Sequence, residues 1–233
     1  MRKHKLIIFS LIFAVCLTAL NMPVPTRQGV NYSVRVYKIP LYIKIMEFID
    51  RDYRYRRLSL EITSGKRSEK EKVMAVLGWV RSSIKTDFPG GWPIYDDHIL
   101  NIIIRGYGAS DQIADVFTTL CAYSGLPAGW ARIISPDQKR SLVLSLVKFD
   151  GRWRVFDVFR DMWFINDEGD VASTDDILAH RYKKALTAGS DFDYEEYFKN
   201  MEQYINGITL RPKKQMPLQR IMYEASNLFK DEQ

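Results

Sequence analysis

Histidine is nearly absent from this 233-residue chain: His4, His98 and His180 are the whole supply, and none falls between residues 99 and 179. Any proton transfer within that stretch must therefore do without imidazole, the side chain whose ordinary pKa lies nearest neutrality. Cysteine is as scarce. Cys16 lies inside an apolar run, which leaves Cys121 alone in the rest of the chain. An internal disulfide is thereby excluded there, and with no CxxC pair or Cys/His cluster there is no zinc pattern. Neither a metal nor a cofactor is expected. Blocks of like charge are missing too: Arg2, Lys3 and Lys5 supply half of the net charge of +6. The remaining basic and acidic residues nearly balance without long runs, which speaks against a nucleic-acid partner. Repeats and low-complexity segments are absent. A hydrophobic content of 46% with 27% charged residues excludes wholesale disorder. The length suits one large core, or one core with helical additions.

The one long apolar run is Leu6 to Leu20, preceded by Arg2, Lys3 and Lys5 and closed by Pro23 and Pro25. As a helix those residues reach about 22 Å, short of the ~30 Å hydrocarbon core of a bilayer. Length favours a secretory signal, whereas the lack of a good A-x-A cleavage site favours an uncleaved anchor. Residues 1–25 are thus a signal peptide or a signal-anchor. Either form keeps the basic flank inside and exports the domain, inner-membrane anchored and facing the periplasm or outside, or secreted if the leader is removed. The membrane is the partner this segment implies.

Residues 26–67 are expected to hold a tether and an N-terminal helix, with a polar stretch over 21–34. From Pro40 to Ile62 apolar residues recur at helical spacing (Leu41, Ile45, Phe48, Leu58, Leu60, Ile62), ending at Ser64-Gly65. Ser68-x-x-Glu71 is a capping box that opens another helix. A loop rich in Pro, Gly and aromatics covers 85–97, and a short helix follows at about 97–104. Beyond it Ile113, Val116, Phe117, Leu120 and Cys121 share one helical face, with Ser110 as N-cap and Gly125 as stop. Strand runs follow at 129–134, 141–149 and 152–159, with turns at Pro136-Asp137 and Asp150-Gly151. Helices are expected again at 174–182 and 191–205. The core is thereby assigned to 68–165 and a helical extension to 166–233.

A two-residue Asp150-Gly151 loop sets the register. Phe149 then faces Arg152, Val147 faces Arg154, and Leu144 faces Asp157. Alternation puts Leu142, Leu144, Leu146, Val155 and Asp157 on one sheet face.

The motifs RGYGASDQ (105–112), GLPA (125–128) and DGRWRVFD (150–157), in that order, resemble the transglutaminase-like core of the papain-like cysteine hydrolases. The resemblance implies an α+β fold with helices packed against an antiparallel, barrel-like sheet. It also implies a Cys opening the helix, a His on the second strand, and an Asp or Asn on the third. This chain has Ser110 at the first place, Leu142 (at most Ser141) at the second, and keeps only Asp157. A thiol at a helix N-terminus is readily ionised, whereas a serine hydroxyl needs a base to take its proton. The expectation is a catalytically degenerate member.

The individual residues have plainer roles to weigh. Ser110 as a cap needs no chemistry. Asp157 could be held by backbone amides, by Ser110 or by Arg160. Cys121 reads as a small core hydrophobe, and His98 as a capping or surface residue that could also approach the cleft. Phe88, Pro89, Trp92, Pro93 and Tyr95, with Tyr107 and the carboxylates Asp96, Asp97 and Asp111, form the candidate binding surface for a sugar or an extended peptide. Packing beneath the loop is their alternative use. Three functions follow: a non-catalytic binder of envelope glycan or peptide; an unconventional hydrolase using Ser110 with His98 or Asp157; or a structural subunit docking a protein partner through the 40–62 helix or the C-terminal helices.

Overall fold

The computed structural model describes residues 2–30, 33–87, 98–185, 192–199 and 201. The organising element is α5 (Ser110–Tyr123), whose stripe Ile113, Val116, Phe117, Leu120 and Cys121 is entirely buried. α2 (Leu41–Thr63) and α3 (Glu69–Ser83) pack on it, and α4 (Ile99–Arg105) leads into it. Ser59 Oγ on α2 donates to Leu120 O at 3.0 Å, and Tyr123 Oη donates to Asp52 at 2.9 Å, pinning α2 to the far end of α5. The Ser68–Glu71 capping box forms as expected, and the amides of Arg67 and Ser68 hold the Glu71 carboxyl below its usual range.

The strands β3 (Ala128–Ile134), β4 (Ser141–Phe149), β5 (Arg152–Asp157), β6 (Met162–Ile165) and β7 (Lys183–Lys184) pair antiparallel in chain order. Asp150 and Gly151 both have positive φ, 48° and 75°, as the tight hairpin requires. The ladder pairs Phe149 with Arg152 and Val147 with Arg154, matching the expected register. β4 is nearly all apolar because both of its faces are covered. One face, with Val147, Phe149, Phe156 and Val158, lies in the same core as α5. The other, with Leu142, Leu144, Leu146 and Val155, meets Phe164, Ile177 of α6 (Thr174–Leu178), and the rings of Tyr194, Tyr197 and Phe198 at α7 (Glu195–Phe198).

Several expectations are corrected. The sheet is an open meander with β3 and β7 as its ends, not a closed barrel. Residues expected as a polar tether form a hairpin, β1 (Pro23–Val30) with β2 (Ser33–Pro40). Val24, Thr26, Val34, Val36 and Ile39 give it strand propensity, and the intervening polar residues disguised it. α6 stops at Leu178, short of 182, because His180 turns into the left-handed region with φ 55°. Of the helix expected at 191–205, the described part is α7. At the N-terminus α1 (Arg2–Leu20) is helical, yet among the described residues no helix is long and apolar enough to cross a membrane. The basic first turn confines its apolar part to the run from Leu6, so a spanning anchor is not supported.

Phe117 lies at the centre of the first core, its ring 5.5 Å from that of Phe156. Phe117→Ala should lower unfolding stability by about 3–5 kcal/mol, read as a lower urea midpoint with an unchanged m-value.

Candidate functional site

The glycine loop before α5 serves packing. Gly106 ends α4 in the left-handed region with φ 73°. Lys85 N donates to Gly106 O at 2.8 Å and Gly108 N donates to Lys85 O at 3.1 Å, clamping the loop to the end of α3. A Cβ at Gly108 would stand 3.2 Å from Ile102 Cγ2 and 3.3 Å from Gln112 Cβ, so a larger residue would push α4 and α5 apart. The N-cap of α5 is Ala109, not Ser110. Gln112 accounts for the difference: its Oε1 accepts from Ala109 N at 3.1 Å and from Arg105 Nη2 at 2.6 Å, which caps the helix one residue earlier. Ser110 is thus the first helical residue, half-buried, and among the described residues its hydroxyl makes no hydrogen bond.

Asp157 is 0% exposed. Its Oδ1 accepts from Arg160 N at 3.1 Å, and its Oδ2 accepts from Arg160 Nη1 at 2.8 Å and from Tyr194 Oη at 2.9 Å. Burial, followed by the charge of Asp157, pushes the Tyr194 phenol well up, so it remains a donor. The Arg160 guanidinium also sits 3.9 Å over the Phe192 ring. Leu142, 1% exposed, packs with Leu144 in the core closed by Tyr194. Leu142 and Asp157 therefore share a sheet face, as alternation requires, while the apolar stripe of α5 packs in the core on the other face. Among the described residues no hydrogen bond joins Ser110 to Asp157.

The other candidates are dispersed. Asp111 pairs with Arg132 at 2.9 Å. Tyr107 is 7% exposed with the Arg105 guanidinium 5.2 Å from its ring centre, so it is packed and offers no open platform. His98 caps α4, its Nδ1 accepting from Leu100 N at 3.3 Å, and it lines a cavity with Arg27, Glu47 and Arg51. Trp92 and Tyr95, with Phe88, Pro89, Pro93, Asp96 and Asp97, lie outside the described residues. Cys121 is fully buried, and burial raises its thiol pKa, which keeps it protonated. Among the described residues no His, Cys, Asp and Glu group could hold a metal.

Sequence reasoning missed a cavity of about 410 Å³ where α3, α5 and the exit of β5 meet. Ile84, Ile113, Val158 and Phe159 form its apolar wall, and Arg81, Lys85, Asp87, Arg160 and Asp161 its polar one. Asp161 pairs with Arg81 and sits at φ 56°. No local motif links residues so far apart in the chain.

This arrangement, an antiparallel sheet with α5 against one face and α6 and α7 against the other, is an α+β fold. Residues 56–158 match the family model described as the Transglutaminase-like superfamily, and this stretch is a transglutaminase-like domain. Among solved structures, a proposed protease from Parabacteroides distasonis aligns at TM-score 0.38 and 13% identity, over 57% of this chain and 35% of its own. A proposed cysteine protease from Cytophaga hutchinsonii aligns at 0.41 and 14%, over 66% and 60%. A TGase aligns at 0.38 and 16%, over 57% and 43%. This chain spans between 35% and 60% of the length of those structures. No curated protein matches it.

Burial raises the Asp161 carboxyl pKa, outweighing the opposing pull of Arg81. A carboxyl with a raised folded-state pKa stabilises the fold most when protonated, and that contribution fades as pH rises through its folded pKa. Asp161→Asn, which also tolerates positive φ, should therefore raise the melting temperature at pH 7. The difference from wild type should shrink as pH falls through the carboxylate range. A pH series of thermal melts checks both.

Proposed function

We propose that this protein is an exported, catalytically inactive transglutaminase-like domain that acts in binding or assembly at the cell envelope, with an envelope glycan or peptide as its ligand class. The observation that carries this reading is the use made of Asp157. Thioester chemistry needs a carboxylate to orient an imidazole, the imidazole to take a proton, and a thiol to attack. Here Arg160 and Tyr194 occupy both oxygens of the carboxylate, and the neighbouring place holds a buried leucine. A serine at the start of α5 has no base within the described contacts.

The cavity beside α5 supports the binding half of the proposal, since an apolar wall with a few converging charges suits a partly polar ligand. The apolar α1 supports export, as a leader or as a membrane contact. The alternative of a serine hydrolase gains nothing from the geometry. His98 faces β1 and α2, in a cavity whose lining shares no described residue with the one at the β5 exit.

The purified chain, offered amide substrates with a primary-amine acceptor, should neither release ammonia nor incorporate the amine, and Ser110→Ala should leave both readings at background. Turnover that disappears in Ser110→Ala would contradict the proposal.

A further inference from the structure

α2 is apolar on two sides. Its inner side, with Tyr55, Leu58 and Ile62, packs on the α5 core. Its outer side carries Tyr42, Ile45, Met46, Ile49 and Tyr53, each between 39% and 61% exposed. The spacings i, i+3, i+4, i+7 and i+11 align them in one stripe about three turns long. An isolated exposed side chain needs no explanation, but a contiguous stripe does.

We infer that this outer face of α2 lies on an anionic lipid surface, a contact separate from any membrane contact of α1. Two observations select that occupant. The first is charge. Residues 21–67 hold ten Lys and Arg against four acids, Glu47, Asp50, Asp52 and Glu61. Three of those acids are already taken by arginines of the same helix: Glu47 by Arg51, Asp50 by Arg54 and Asp52 by Arg56. Arg35, Lys38 and Arg57 are exposed and form no ion pair among the described residues. The segment thus combines an exposed stripe of rings and aliphatic groups with an excess of unneutralised cations, the pattern of a helix that lies in the interfacial plane.

The second observation is continuity. Leu41 N donates to Met22 O at 2.9 Å, so the start of α2 sits against the end of α1. Leu17, Leu20 and Met22 at that end are themselves exposed. The apolar α1 therefore ends against the start of the helix that bears the stripe. The inference goes beyond the proposed function, because it needs no particular state of the transglutaminase-like centre.

The test is a fluorophore sensitive to polarity, attached at Met46→Cys in the full chain carrying Cys16→Ser; the buried Cys121 stays unlabelled. A second label at Glu168→Cys, on a distant exposed turn, is the control. Vesicles of phosphatidylcholine with about a third phosphatidylglycerol should shift emission at position 46 to the blue and leave position 168 unchanged. Pure phosphatidylcholine, or about 0.5 M salt, should weaken the shift. Ile49→Glu should reduce it about tenfold in vesicle titre without altering the melting temperature, since Ile49 is exposed. No shift at position 46 while the chain still floats with vesicles would overturn the inference and leave the contact to α1. A shift that follows protein concentration without lipid would overturn it in favour of a second copy of this chain.

Discussion

A carboxylate shut away from water persists in a folded core only where donors meet its charge, and Asp157 is met by three. Two come from Arg160, at the turn that leaves β5. The third comes from Tyr194, at the entrance to α7. That last bond reaches across 37 positions of sequence and draws the segment around α7 over the sheet face that bears Leu142. Once Tyr194 is there, the Phe164 ring meets it edge-on with centres 5.0 Å apart, and the Phe198 ring stacks on it at 5.8 Å. This bond is one tie between the sheet and the α7 side of the second core. The Asp157 carboxylate has no exposure to solvent. Here its hydrogen-bonding capacity is turned to holding two parts of the chain together.

The two-sided burial of β4 follows from the same arrangement. α5 covers one face with aliphatic and aromatic groups and α7 covers the other, so the middle strand can carry leucine where a polar catalytic group would need access to a cleft. Room for a ligand is displaced to the edge, where Arg160 does double service. Its guanidinium anchors Asp157, and the residue also lines the cavity at the exit of β5. A ligand entering that cavity would therefore touch a residue coupled to the second core.

Much of this was legible from particular residues. Asp150-Gly151 admits one kind of hairpin, so the register and the shared face of Leu142 and Asp157 could be deduced before any coordinates. The periodicity from Ile113 to Cys121 defines α5 and its buried side. The lack of histidine from 99 to 179 needs no structure. Other features depend on contacts that periodicity does not encode. Tyr194 reads as one aromatic among several in the helix expected at 191–205, and nothing local ties it to Asp157. Ser110 looks like a cap, but Gln112 moves the cap to Ala109 through a side-chain bond. In α2 one apolar pattern conceals two faces, with Phe48, Leu58 and Ile62 turned inward and Ile45 and Leu60 outward. The β1–β2 hairpin was hidden because its exposed strands carry as many polar as apolar residues.

The central claim is that the buried Asp157 carboxylate is a structural tie to Tyr194. A double-mutant cycle on Asp157→Ala and Tyr194→Phe, measured by urea unfolding, tests it most directly. The account predicts a coupling of about 1–2 kcal/mol, with Tyr194→Phe alone destabilising by about 1 kcal/mol. Effects that add to within about 0.3 kcal/mol would contradict it, because the two residues would then act independently and Asp157 would be left for some other role.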